Sequence, residues 1–162
     1  MNKPKVLHSV EKDKVHILVV DDHPIVREGL AELLNLETDM VVSAQASNAA
    51  EAIKAVKELK IDLAVVDLLL GDTTGIEVIK KIKILCPGIV ALIFSMSDST
   101  QYAKQAFEAG ARGYITKDQI SEEIVNAIRH VLIGQIYISS KLHLSKKELS
   151  ILWAGKIQGC CN

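Results

Sequence analysis

Short apolar runs alternate with segments of helical periodicity along the chain, and this alternation restricts the fold more than any other feature. Five runs rich in β-branched residues are predicted as buried strands, at 15–20, 40–43, 63–66, 89–94 and 113–116. After each run, apolar residues recur at helical spacing, as Ile76, Ile79 and Ile82 do after the third run. The sequence therefore predicts five strand–helix units.

Strands that are joined by helices are expected to pair in parallel, because a helix is the usual crossover between parallel strands. With right-handed crossovers, the five units form a three-layer, doubly wound α/β sandwich around a parallel five-stranded sheet. Pro24 fits the first turn of helix 1, because no helical hydrogen bond requires its missing N–H.

The composition fits one domain with short additions at its ends. With 162 residues, 49% of them hydrophobic and 24% charged, the chain has enough apolar material for a core. A net charge of −1 argues against general attraction to nucleic acid or acidic membranes. Both ends are basic and the middle is acidic, so we divide the chain into a polar leader (1–14), a main domain (15–140) and a tail (141–162).

The sequence contains no recognisable segment that would direct it to a membrane or out of the cell. No apolar run approaches the roughly 20 residues of a membrane span, and the polar N-terminus lacks the apolar stretch of a secretory signal. Three cysteines without a C-x-x-C pair indicate neither a disulfide framework nor a zinc site. These observations predict a cytoplasmic protein with no membrane partner.

Four of the five predicted strands end in polar residues that can take part in chemistry. Strand 1 runs into Asp21 and Asp22, strand 3 into Asp67, strand 4 into Ser95 and strand 5 into Lys117. Because the carboxyl ends of parallel strands meet at one edge of a sheet, these side chains are expected to converge. Carboxylate oxygens are the ligands that Mg²⁺ prefers, so the three aspartates predict a magnesium site.

Such a set of side chains can accept a phosphoryl group. An ionised Asp67 can attack phosphorus and form an acyl phosphate without a general base. Mg²⁺ and Lys117 would neutralise the transferring group, and Ser95 would donate a hydrogen bond to it. His23 follows the acidic pair, and we interpret it as a residue at the rim of the site.

Each of these residues also has a purely structural interpretation. Asp22 could cap helix 1, Ser95 could bond to its own backbone in a turn, and Lys117 could be a solvated lysine at a strand end. These alternatives stay open for each residue taken alone, but their joint occurrence at strand ends favours a functional site.

The same residues resemble the signature of the receiver domains of two-component response regulators. Asp21-Asp22 resembles the acidic pair of that family, Asp67 its phosphorylated aspartate, Ser95 its hydroxyl residue and Lys117 its site lysine. Tyr114 resembles its aromatic switch residue. The sequences at 19–24, 109–118 and 134–139 are similar to those of the NarL/FixJ subfamily, and the resemblance covers about 15–140. It implies a flavodoxin-like (βα)5 fold.

The resemblance implies that the protein is a phosphoacceptor switch and not a conventional enzyme. A sensor histidine kinase would donate the phosphoryl group to Asp67. Mg²⁺ would be held by Asp22, Asp67 and the backbone carbonyl of Leu69, with Asp21 close by.

The resemblance also implies how the switch would work. Ser95 would move toward the phosphoryl group, and Tyr114 would turn inward and change the surface of helix 4, strand 5 and helix 5. A homodimer would use that surface or the face of helices 1 and 5. The structural alternative for Tyr114 is an aromatic at the edge of the core.

Two positions depart from the family pattern. Gly71 stands where the family often has a proline, so we expect a looser loop at 71–75. Asp118 replaces the proline that follows the site lysine in many receivers.

The tail resembles the first helix of a LuxR-type helix-turn-helix domain over residues 144–156, and Ser145 with Glu148 predicts a capping box at the start of a short helix. The recognition helix of such a domain is absent, so we expect an incomplete remnant that does not bind DNA. Trp153 is expected to pack on a neighbouring surface.

Three other functions are considered. A haloacid-dehalogenase-type phosphatase would need a second aspartate two residues after its nucleophile, where this chain has Leu69. A DNA-binding transcription regulator requires that the chain be a fragment. A structural module of the same fold would not be phosphorylated at all.

Overall fold

The computed structural model describes residues 13–117 and 122–142, together with 144–145, 147–148 and 150–151. The main sheet in these residues consists of the parallel strands β1 (Val15–Val20), β2 (Met40–Ala46), β3 (Leu63–Val66), β6 (Val90–Ser95), β7 (Gly113–Thr116) and β8 (Tyr137–Ile138). Its strand order is β2-β1-β3-β6-β7-β8. A separate antiparallel hairpin contains β4 (Leu69–Leu70) and β5 (Thr73–Thr74). The helices between strands are α1 (Pro24–Asn35), α2 (Ala49–Glu58), α3 (Gly75–Leu85), α4 (Thr100–Ala109) and α5 (Glu122–Leu132).

The core has two parts, one on each face of the sheet. Alternate residues of a strand point to opposite faces, so Ile17 and Val19 of β1 pack in one cluster while Leu18 and Val20 pack in the other. The first cluster takes its helical residues from α1 and α5, and the second from α2, α3 and α4. This division confirms the predicted three-layer, doubly wound sandwich.

The five predicted strands are present, with one of them longer than expected. β2 continues to Ala46, three residues beyond the predicted end. The sheet also contains a sixth strand, β8, which was not predicted and which pairs in parallel with β7. Pro24 is the first residue of α1, as predicted. None of the helices that the structure describes combines the length and the apolar character that a membrane crossing requires.

The loop after Asp67 is an ordered hairpin, and the expectation of a looser loop at 71–75 is wrong. Leu69 pairs with Thr74 and Leu70 with Thr73 across a two-residue turn. Gly71 has a φ of 68° at the first turn position and Asp72 does not have a positive φ, as in a type II′ turn. A glycine meets this requirement without strain, so the hairpin does not need the proline of the family pattern.

The tail begins with the predicted capping box. The Ser145 N–H donates to Glu148 Oε2 at 2.9 Å, and the Glu148 N–H donates to Ser145 Oγ at 3.1 Å. Residues 147, 148, 150 and 151 are helical. Asp118 and Trp153, which the sequence analysis singled out, lie outside the described residues.

Gly75 joins the hairpin to α3 at a point where no side chain fits. A Cβ on this residue would lie 2.2 Å from the backbone oxygen of Asp67 and 3.0 Å from Val66 Cγ1. The Gly75 N–H also donates to the Leu68 carbonyl at 2.7 Å. The close approach fixes the start of α3 against the end of β3, where Asp67 follows the strand.

Gly75→Ala is expected to destabilise the fold by about 1–3 kcal/mol, because the new methyl group must displace the backbone at Asp67. Gly29→Ala is the matched control, since a Cβ at Gly29 in the middle of α1 meets no atom within 4 Å. The control should stabilise the protein by about 0.5–1 kcal/mol through helix propensity. Urea denaturation of both variants measures the difference. Equal stabilities would contradict the close approach at Gly75.

Candidate functional site

The two central strands place Asp21 and Asp67 side by side at the carboxyl edge of the sheet. Val20 and Val66 are register partners at the ends of β1 and β3. The Asp67 N–H donates to the Val20 carbonyl at 2.8 Å, so the ladder continues past the two strands. Both aspartates are buried. The parallel register therefore brings two acidic side chains to adjacent positions, as the strand ends predicted.

Lys117 joins these two carboxylates. Its Nζ lies 2.8 Å from Asp21 Oδ2 and 3.2 Å from Asp67 Oδ1. Lys117 is only 8% exposed, and its Nζ lies 5.6 Å from the centre of the Phe94 ring. The alternative of a solvated lysine at a strand end is therefore wrong. A buried ammonium group between two buried carboxylates offsets part of the cost of removing all three charges from water.

Asp22 and His23 form the exposed side of the site. The His23 Nδ1 lies 3.0 Å from Asp22 Oδ1, 3.1 Å from Asp21 Oδ1 and 4.0 Å from Asp67 Oδ2. The His23 side chain is 67% exposed, which agrees with its interpretation as a rim residue. His23 is the N-cap residue of α1, and no side chain caps this helix. The alternative that Asp22 caps helix 1 is therefore wrong.

Burial raises the pKa of Asp67, and the charge of Asp21 raises it further. Lys117 and a hydrogen bond from the Leu69 backbone lower it, but burial has the largest effect. Ionised Asp67 is therefore destabilised relative to an aspartate in water. A cation that binds this carboxylate would offset that penalty.

Ser95 and Tyr114 lie next to this cluster and are linked to each other through Ser97. The Ser97 N–H donates to Ser95 Oγ at 3.0 Å, which is the local backbone bond that the structural alternative for Ser95 describes. The Tyr114 hydroxyl donates to the Ser97 carbonyl at 2.8 Å. Tyr114 is fully buried, so its ring already points inward in this structure. Burial also raises the pKa of its hydroxyl. The Lys117 N–H donates to the Ser95 carbonyl at 2.7 Å, which connects the pair to the site.

The acidic pocket has the donor atoms that a hard divalent cation requires. One ligand atom from each of Asp21, Asp22, His23 and Asp67 lies within 4.8 Å of the others. Three of these four residues supply carboxylate oxygen, the donor that Mg²⁺ and Ca²⁺ prefer. The residues therefore fit a divalent cation on the chemistry of the donor set.

The chain matches the description "Response regulator receiver domain" over residues 17–129. It belongs to the response regulator receiver family. The receiver is a signalling domain, and the coarse prediction of a phosphorelay module instead of a conventional enzyme agrees with this membership.

Three curated relatives are similar over most of this receiver. The transcriptional regulatory protein YxjL of Bacillus subtilis, itself described as uncharacterized, is 35% identical over 78% of this chain and 58% of its own length. The oxygen regulatory protein NreC of Staphylococcus epidermidis is 35% identical over 80% of this chain and 60% of its own. The response regulator GacA of Pseudomonas aeruginosa is 34% identical over 79% and 60%. The chain spans about 60% of the length of these relatives.

Solved structures show the same fold. A LuxR-family two-component response regulator from Aurantimonas sp. SI85-9A1 superposes with a TM-score of 0.74 at 35% identity, over 89% of this chain and 99% of that one. The receiver domain of the putative response regulator NarL from Mycobacterium tuberculosis gives 0.71 at 30% identity, over 76% and 99%. The predicted similarity to the NarL/FixJ, LuxR-type subfamily is confirmed.

Some contributors to the site were not identified from the sequence. Arg27 donates from Nη1 to the Asp21 carbonyl at 2.7 Å and so fixes the loop after β1. Ser97 provides both the N–H that Ser95 accepts and the carbonyl that Tyr114 needs. Gly75 allows the backbone of Asp67 to approach α3. Each of these contacts involves a backbone atom, and contacts with the backbone leave no periodic pattern in a sequence.

Asp67→Asn is expected to raise the free energy of unfolding at neutral pH in metal-free buffer. The pKa of Asp67 is higher in the folded than in the unfolded chain, so wild-type stability falls as the pH rises from the ordinary aspartate range through the raised pKa. Asparagine does not ionise, so the advantage of the variant should disappear as the pH falls toward that range.

Chemical denaturation at a series of pH values measures this trend. Asp72→Asn removes an exposed carboxylate of the hairpin and serves as the charge control. If Asp67→Asn were less stable than the wild type at neutral pH, the attraction between Lys117 and Asp67 would outweigh the effect of burial.

Proposed function

We propose that the protein is a response regulator that accepts a phosphoryl group on Asp67 from a sensor histidine kinase. The observation that supports this best is the position of Lys117, which is buried and in contact with the carboxylates of both Asp21 and Asp67. A structural module gains little from three buried charges, because such groups cost stability and are replaced by apolar residues without loss. A role in accepting a phosphoryl group would account for the buried charges of Asp21, Asp67 and Lys117.

The reaction requires only groups that the site contains and a divalent ion. A carboxylate oxygen of Asp67 attacks the phosphorus of a phosphohistidine, an acyl phosphate forms, and the P–N bond breaks with its electron pair returning to the imidazole. Lys117 then neutralises negative charge on the phosphoryl oxygens, and Ser95 donates its hydroxyl hydrogen to one of them. Slow hydrolysis of the acyl phosphate restores Asp67 and releases phosphate.

The bound ion in this proposal is Mg²⁺, held by Asp21, Asp22 and Asp67 with the backbone carbonyl of Leu69. The grouping of the three carboxylates supports it. When bound, Mg²⁺ would neutralise charge on the transferring group. The Leu69 carbonyl as a ligand stays a prediction, as does a cytoplasmic location for the protein.

Phosphorylation would change the surface of α4, β7 and α5. The phosphorylated side chain carries a charge of about −1.5 to −2 in place of the single negative charge of the carboxylate, and it provides new acceptors for Ser95. Movement of Ser95 would disturb the Ser97 N–H that bonds to it, and with it the carbonyl that holds Tyr114. That surface, or the face of α1 and α5, would then bind a partner or a second copy.

A second candidate concerns the output. The relative YxjL is described as a transcriptional regulatory protein, and the capping box at Ser145 starts a helix after the receiver, as a DNA-binding regulator requires. This chain covers about 60% of such relatives, so transcriptional control is a proposal for a longer protein. An electrophoretic shift with promoter DNA distinguishes it from a receiver that acts alone.

Incubation with acetyl phosphate and Mg²⁺ is expected to add one phosphoryl group to Asp67. Intact-mass measurement followed by peptide mapping locates it, and Asp67→Asn should show no addition. Asp72→Asn, on the hairpin five residues away, should be modified as the wild type is. Modification that persists in Asp67→Asn or in the presence of a chelator would contradict the proposed chemistry.

Lys117→Ala is expected to retain some acyl phosphate at Asp67 but to lose the response of the α4–β7–α5 surface. The nucleophile and the metal ligands remain, whereas the cation that links the phosphoryl group to the end of β7 is gone. NMR spectra with beryllofluoride and Mg²⁺ measure the surface response, and mass spectrometry measures the modification. A wild-type response in this variant would contradict the role of Lys117.

A further inference from the structure

His23 adds an imidazole nitrogen to the three carboxylates of the acidic pocket. It is the N-cap residue of α1, yet its side chain makes no capping hydrogen bond to that helix. Its backbone N–H donates to Asp21 Oδ1 at 2.8 Å, which fixes the start of α1 against the end of β1. The imidazole is therefore held over the acidic residues by the backbone, and the helix does not use it.

The distances from His23 Nδ1 to the three carboxylates match those between the ligands of one ion. Nδ1 lies 3.0 Å from Asp22 Oδ1, 3.1 Å from Asp21 Oδ1 and 4.0 Å from Asp67 Oδ2. In an octahedral site with bonds of about 2.1 Å, neighbouring ligands are about 3.0 Å apart and opposite ligands about 4.2 Å apart. Nδ1 thus has the position of a ligand beside Asp21 and Asp22 and opposite Asp67.

A hydrogen bond from the imidazole explains this arrangement less well. One N–H donates at full strength to an acceptor that lies near its axis, whereas Nδ1 has two carboxylate oxygens at nearly equal distances. The side chain of His23 is also mostly exposed, so water can satisfy Nδ1 without any carboxylate. An ion shared by the nitrogen and the oxygens accounts for both close contacts at once.

An imidazole ligand changes which ions a pocket favours. Mg²⁺ prefers oxygen from carboxylates, carbonyls and water, and it keeps several of its waters. Imidazole nitrogen suits the transition ions, whose affinity for mixed nitrogen and oxygen sites rises from Mn²⁺ through Co²⁺ to Ni²⁺. A pocket of three carboxylates and one imidazole is therefore able to bind Mg²⁺ with water in place of the nitrogen, or a transition ion with the nitrogen bound.

We propose that His23 is a ligand of the cation site through Nδ1 and gives this site a preference for divalent transition ions over Mg²⁺. This assignment rests on the cation site of the proposed function and adds a nitrogen ligand to it. The ion that binds His23 would also contact Asp67, which lies opposite the nitrogen. His23 would thereby influence which ion serves the phosphoryl acceptor.

Metal binding to the full, chelator-treated chain tests the assignment, with Co²⁺ as the transition ion. NMR titrations with Co²⁺ and with Mg²⁺ follow the amide signals around the pocket. His23→Ala should weaken Co²⁺ binding by at least about ten-fold, since losing even a group that only orients a ligand costs that much. The same variant should change Mg²⁺ binding by less than about two-fold, because Mg²⁺ readily takes water in place of the nitrogen. His23→Gln should behave as His23→Ala does, since an amide can bond to the acids but offers no imidazole.

His130→Ala is the matched control. His130 is an exposed histidine of α5, and its Nδ1 lies 2.7 Å from the Asn126 carbonyl of the same helix. In the wild type with Co²⁺, the ring signals of one pocket histidine should show the large paramagnetic shift of a metal ligand. His23→Ala should lack these shifted signals, and His130→Ala should keep them.

Co²⁺ binding that His23→Ala leaves unchanged, or that His23→Gln restores, would overturn the assignment and limit His23 to hydrogen bonding with the acids. If the wild type then still binds Mg²⁺ and gains a phosphoryl group at Asp67 from acetyl phosphate, the proposed function stands without it. If neither ion binds at the pocket, the cation site of the proposed function is overturned, and the role of His23 with it.

Discussion

The contact of Lys117 with Asp21 and Asp67 is the interaction on which the rest of the site depends. Two buried carboxylates in adjacent strand positions repel each other, and burial disfavours their ionised forms. One buried ammonium group, at 2.8 Å and 3.2 Å from the two, compensates for part of this cost. The receiver is thus built around charges that would be expensive in any role except chemistry or switching.

The order of the strands explains why a lysine performs this task. β7 is separated from β3 by β6, and neighbouring strands lie about 4.8 Å apart. A side chain from the end of β7 must therefore pass over the end of β6 to reach Asp67, and farther to reach Asp21. The four-carbon stem of lysine spans such a distance, and the Phe94 ring of β6 lies near its ammonium group. The length of the lysine side chain therefore matches the distance that the strand order imposes between the end of β7 and the two aspartates.

The sequence was sufficient to predict the layers and the convergence of Asp21, Asp67 and Lys117. The layers follow from periodic apolar residues, and the three charged residues follow the ends of apolar runs. β8 was missed because a strand of two residues is too short to show a period. The last part of β2 was missed because Gln45, on this edge strand, is exposed and interrupts the apolar run. The hairpin at Gly71 and the close approach at Gly75 were not predicted because both depend on backbone geometry. A sequence indicates such geometry only where it requires a glycine, and glycine also occurs where nothing requires it.

A chain of hydroxyl and backbone groups connects the chemistry to the surface. Ser95 Oγ accepts a hydrogen bond from the Ser97 N–H, and the Ser97 carbonyl accepts one from the Tyr114 hydroxyl. The Tyr114 carbonyl in turn accepts one from the Ser139 N–H. Each of these polar groups is bonded within the protein, and a buried donor that loses its acceptor costs about 1–3 kcal/mol. If Ser95 moves by a fraction of a hydrogen-bond length while its neighbours stay in place, its hydrogen bond with the Ser97 N–H is weakened, and this costs free energy. The lower-energy response is for the neighbouring groups to move with it, which is the physical basis on which a small event at Asp67 would reach the far side of β7.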